Sequence, residues 1–75
     1  MSNMTESEKI LAFVSFCIEE YKNNLDTEGG KVAELFEKFG VTDYLMAHYD
    51  ILHSLSREAI MDDIEQFIEA RRRQK

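Results

Sequence analysis

Asp43, His48, Asp50 and His53 are the residues of this 75-residue chain that bring metal-binding or acid–base chemistry close together in sequence. A zinc or other transition-metal site takes three or four convergent ligands. His48 and His53 stand five apart, on different faces of a continuous helix, whereas Asp50 and His53 at i, i+3 share a face and can hydrogen-bond. Capping or hydrogen bonding is therefore the expected role of the group, and no metal or other cofactor is expected. An enzyme needs a nucleophile or base held by a second residue, beside room for a substrate. No spacing in the chain supplies this, so the protein is expected not to be an enzyme.

The single cysteine, Cys17, cannot form an internal disulfide, which fits a reducing compartment. Reactive thiols favour exposed, electropositive surroundings. Cys17 instead shares a helical line with Val14 and Tyr21, so a packing role is expected. The apolar stretch from Ile10 to Ile18 follows Glu6 and Glu8, where a secretory signal would be basic, and it is too short to span a bilayer. A cytoplasmic location and no membrane association are expected.

The elements that must position these residues are helical. There is no proline and no alternating run long enough for a strand. The pattern predicts an all-α fold, a compact array of four helices over about 6–24, 28–39, 43–48 and 57–72, around a central first helix. Residues 1–75 are expected to form a single helical domain, with 1–4 and 73–75 frayed. At this length net stability is expected to be about 4–11 kcal/mol, from roughly 0.05–0.15 kcal/mol per residue.

Thr5 and Glu8 have the spacing of a capping box at the start of the first helix. Ile10, Val14, Cys17 and Tyr21 fall on one line, flanked by Phe13 and Phe16 on one side and Leu11 and Ile18 on the other. The apolar arc is about 220° wide at the 3.6-residue period, more than one neighbouring helix covers. This helix is either the centre of the fold or also faces another molecule, and its second face is the expected site of any homodimer contact.

Asp26 or Thr27 is the expected N-cap of the second helix, whose start Gly29 and Gly30 should loosen. Val32, Leu35, Phe36 and Phe39 form its inward stripe, and Gly40 stands where a left-handed residue closes a helix. Thr42 and Asp43 open the third helix, with Tyr44 and Leu45 inward. Tyr49-Asp50-Ile51-Leu52-His53 either extends it or forms an irregular connection, and the irregular connection is the expectation. Ser54 or Ser56 caps the last helix. Its inward line is Ile60, Ile64 and Phe67, flanked by Met61 and Ile68, and Glu58, Asp62, Glu65 and Glu69 make an acidic outer face. Arg71–Arg73 complement the negative end of its dipole.

The formal charge is −6, unevenly spread. Residues 1–70 hold all fifteen acidic side chains and five of the nine basic ones, a net −10. Such a body repels nucleic acid and favours a basic partner. The second and third helices have the spacing of a helix-turn-helix. A reading helix, however, needs Arg, Lys, Asn or Gln aimed at base edges, and this one offers Asp43, Tyr44, Met46, Ala47 and His48. A small DNA-binding regulator is thus the alternative reading.

Ile10-Leu11-Ala12-Phe13-Val14, Phe16-Cys17-Ile18-Glu19-Glu20-Tyr21, Val32-Ala33-Glu34-Leu35-Phe36, Phe39-Gly40-Val41, Tyr44-Leu45, Tyr49-Asp50-x-Leu52-His53, Arg57-Glu58 and Asp62-Asp63-Ile64 follow one another along the chain. Together they resemble a family of short bacterial proteins known only as a domain of unknown function, over about residues 8–69. Members of that family are often encoded beside ADP-ribosyltransferase-like proteins of toxin type. The resemblance implies an accessory or antitoxin-like protein that binds its neighbour, and it carries over no catalytic residue. Gly29–Gly30 and the arginine tail depart from the family pattern. The expected function is an acidic helical protein–protein interaction module. Its expected partner-binding residues are Tyr44, Tyr49, Asp50, His53, Glu58, Asp62 and Glu65. Tyr and Met are enriched at interfaces, while Tyr21 is expected to pack inside.

Overall fold

A computed structural model describes residues 4–73. The fold is all-α, with helices α1 (Glu6–Leu25), α2 (Gly29–Phe39), α3 (Val41–Ala47), α4 (Tyr49–Leu52) and α5 (Arg57–Arg73), and no strand among the described residues. The expected fraying at 1–3 and 74–75 lies outside those residues. Met4 is exposed coil, and Arg73 is the last residue of α5.

The capping box of α1 forms in full. Glu8 N–H donates to Thr5 Oγ1 at 3.2 Å, and Thr5 N–H donates to Glu8 Oε1 at 2.8 Å, so two N–H groups that lack a helical acceptor are satisfied at once. The far end of α1 closes on Asp26, which is left-handed at φ 56° and donates its N–H to the Lys22 carbonyl. That conformation removes Asp26 as an N-cap for α2. The cap is Glu28, not Asp26 or Thr27, and its side chain makes no capping bond. Gly29 and Gly30 form the first turn of α2.

Gly40 closes α2 at φ 75° and at the same time caps α3, whose Tyr44 N–H donates to the Gly40 carbonyl. No loop separates the two helices. Val41, expected in a turn, is therefore the first residue of α3 and fully buried, as is Leu45. The segment at 49–53 is also more regular than expected: Tyr49–Leu52 is a single helical turn carrying buried Leu52 inward. Ser56 caps α5 by accepting from Ala59 N–H at 3.2 Å, while Ser54 Oγ donates to the Ile51 carbonyl instead.

One core cluster joins all five helices. Phe13, Val14, Cys17 and Tyr21 of α1 meet Val32 and Phe36 of α2, Val41 and Leu45 of α3, Leu52 of α4, and Ile60, Met61, Ile64 and Ile68 of α5. As expected, α1 is central, packing on α2, α3 and α5 and reaching α4 through an edge contact of Phe13 on Tyr49. Short α3 shares that position, since it packs against the other four helices. Phe67, Leu35 and Phe39 are only half-buried, so the buried line of α5 is Ile60–Ile64–Ile68 with Met61 beside it.

Two glycines give opposite expectations. A side chain at Gly40 must adopt a left-handed backbone, at a cost of roughly 1–2 kcal/mol. At Gly30 an added Cβ meets nothing within 4 Å and φ is ordinary, so alanine gains roughly 0.5–1 kcal/mol. Chemical denaturation of Gly40→Ala and Gly30→Ala should show the first less stable and the second more stable than the parent chain.

Candidate partner-binding surface

The wide apolar arc of α1 is not fully covered. Phe16 remains 37% exposed, and Leu11 on the other flank is 62% exposed. Phe16 forms the wall of a groove between α1, α4 and the entry to α5, with a volume of about 450 Å³. Ala12, Phe13, Tyr49, His53, Leu55 and Ile60 complete the wall, and Met4, Lys9 and Arg57 stand with them. Leu55 lies in the connection between α4 and α5 and is exposed.

Arg57 also lines a second hollow, beside Glu20, Asn24, Glu58, Met61, Asp62 and Glu65. Its Nε lies 3.6 Å from Glu20 Oε1, a half-exposed pair that contributes little to stability. The apolar groove and the acidic hollow therefore adjoin, with Arg57 at the boundary.

The structure separates the residues expected to bind a partner. Tyr49 and His53 both line the groove, with their rings stacked at 4.4 Å and 9°. His53 Nδ1 is 2.7 Å from the Tyr49 carbonyl oxygen, which can only accept, so this nitrogen carries the proton. The bond expected between Asp50 and His53 gives way to that one, and Asp50 is exposed away from the groove lining. Glu58, Asp62 and Glu65 line the acidic hollow together. Tyr44 faces inward: its ring stacks on Phe67 at 4.3 Å, and its hydroxyl donates to Asp63 Oδ2 at 2.6 Å. Lys9, Phe16, Leu55 and Arg57 were not among the expected binding residues. Only the excess width of the α1 stripe pointed toward any of them.

Tyr21, as expected, is buried, and its hydroxyl donates to Glu65 Oε1 at 2.8 Å. Glu65 thus belongs at once to the acidic hollow and to the lock between α1 and α5. Two arginines of the tail are engaged within the chain. Arg71 lies over Phe67 at 4.6 Å, and Arg72 lies over Phe39 at 5.8 Å and 3.6 Å from Glu69. Gly40 alone joins α2 to α3, and Asp43, Met46 and Ala47 are exposed on α3, with His48 exposed just past its end. Among the described residues no three His, Cys, Asp or Glu side chains gather as metal ligands, and no helix is long and apolar enough to cross a membrane.

Residues 12–71 match the family described as "Protein of unknown function (DUF3791)". The chain belongs to this family. No curated protein and no solved structure matches it. The matched stretch of this family member takes in the core of α1, the whole of α2 to α4 and nearly all of α5, and with them both hollows except Met4 and Lys9.

Three titrations are displaced in one direction. Burial pushes the Cys17 thiol from 9.0 up to about 12. Burial, then the bond to Glu65, raises Tyr21 to about 12. The bond to Asp63, then burial, raises Tyr44 to about 12. A group with a folded pKa above its unfolded value holds its proton more tightly in the native state. Its contribution is complete below the unfolded value, 9.0 for the thiol and 10.0 for the tyrosines, and is lost as pH rises through about 12. Urea denaturation should therefore show stability falling over that alkaline window. Tyr44→Phe should be less stable at neutral pH, by roughly 1 kcal/mol for one hydrogen bond, and should lose part of the alkaline slope. A thiol reagent should modify Cys17 only in denaturant.

Proposed function

We propose that this protein is a protein–protein interaction module that holds a basic partner on the α1–α5 side of the fold. The observation that carries the reading is the junction of an apolar groove with an acidic hollow at Arg57. Isolated exposed apolar residues are ordinary on a protein surface, but apolar residues gathered in one concave place, rimmed by polar groups, mark an interaction site. Glu20, Glu58, Asp62 and Glu65 supply the charge on one side of the boundary. The −10 of residues 1–70 attracts a basic protein over a longer range.

In its finer form the proposal makes the partner an ADP-ribosyltransferase-like protein of toxin type, which this chain accompanies or neutralises. That form rests on the family pattern of the sequence and on the fit between an acidic surface and a basic active-site cleft.

Purification of the tagged chain from its native cells should recover one protein in stoichiometric amount. Glu58→Gln with Asp62→Asn should weaken that complex at least tenfold, mainly by slowing association at low salt. Repeated purifications that yield chaperones alone would contradict the reading.

A further inference from the structure

The groove and the acidic hollow differ in chemistry and share Arg57. We infer that they form one seat for a basic amphipathic helix of another protein, whose apolar side chains enter the groove while its lysines and arginines run along Glu58, Asp62 and Glu65. The inference rests on the protein-binding reading above and specifies the chemistry of the ligand.

Size gives the first argument. The groove is bounded by ten residues, whereas a stable interface takes roughly 20–30 from each side. Contact must spread beyond the groove, and the concave surface that adjoins it is the acidic one. A volume of about 450 Å³ falls within the roughly 300–1,000 Å³ of pockets that take apolar groups.

Periodicity gives the second. Glu58, Asp62 and Glu65 repeat at helical spacing on an exposed face of α5, while Glu69 beyond them faces Arg72 at 3.6 Å. The seven steps from Glu58 to Glu65 rise roughly 10 Å, about two turns, so a facing helix with cations at the same spacing stays in register along this length. No sheet edge exists among the described residues to extend with a strand, and an amphipathic helix laid in an apolar groove is the established alternative.

Charge fixes occupant and placement. A second copy that set this face against itself would bring its own carboxylates against these, so a basic segment of another protein is the favoured occupant. Lys9 stands with the groove and enters no ion pair among the described residues. The cations of the guest therefore lie between Lys9 and the arginines at the end of α5, along Glu58, Asp62 and Glu65.

The test is selection from a display library of random peptides of about 16 residues, or roughly four helical turns, on the immobilised full chain at low salt. Each selected peptide is then titrated against a Phe16→Ser, Leu55→Ser double variant. Both positions are exposed, and a thermal melt by circular dichroism checks that the variant is folded; Leu55→Ser alone serves if it is not. The inference expects peptides with apolar residues at i, i+3 or i+4 and with Lys or Arg on the other face, bound at least tenfold more weakly by the variant. Peptides rich in Lys and Arg without apolar spacing, bound equally by both proteins, would overturn the seat and leave the acidic-face reading standing. Groove-dependent peptides without basic residues would overturn the inference and that reading together. An absence of enriched peptides counts against the seat.

Discussion

The left-handed backbone at Gly40 lets the chain leave α2 and enter α3 without a connecting loop. Because α3 starts immediately, Val41 and Leu45 are carried to positions of zero exposure, and this seven-residue helix touches each of the other four. So short a helix has little stability of its own, and its order comes from packing. Its packing in turn sets where α4 begins, and α4 places Tyr49 against Phe13 of α1. A groove whose wall includes Tyr49, Phe16 and Leu55 thus depends on a turn at residue 40, which is not among its lining residues.

Two tyrosine–carboxylate bonds fasten α5 to that framework. Tyr21 reaches Glu65 from α1, and Tyr44 reaches Asp63 from α3. They hold the middle of α5, and Glu58 and Asp62 face solvent beside Glu20. At the other end, Arg71 on Phe67 and Arg72 over Phe39 bring the cationic turn of α5 onto aromatic faces. Arg71 and Arg72 are thereby engaged in packing within the chain.

Much of this fold is legible in the sequence where one helix decides the matter alone. The capping box at Thr5, the stripe of α1, the cap at Ser56 and the glycine stop at 40 are local signals, and each forms as expected. The misread places are those where a neighbour decides. Asp26 has an N-cap's chemistry but is taken up as the left-handed end of α1. Tyr49–Leu52 is too short for a periodic signal and is helical because Leu52 and Tyr49 pack inward. The surface follows the same rule. Glu58, Asp62 and Glu65 are visible as one helical face, whereas Leu55 and Lys9 become neighbours only after α1, α4 and α5 assemble. Phe16 is the exception, foreshadowed by a stripe too wide for one partner helix.

The α1–α5 side, at the junction marked by Arg57, is the surface proposed to meet a partner. Amide hydrogen exchange on the full chain, free and in complex with the protein recovered from its native cells, tests this most directly. Added protection is expected in the Leu55–Glu65 stretch and at Lys9–Phe16. Protection confined to α2 and α3, with the Leu55–Glu65 stretch unchanged, would contradict it.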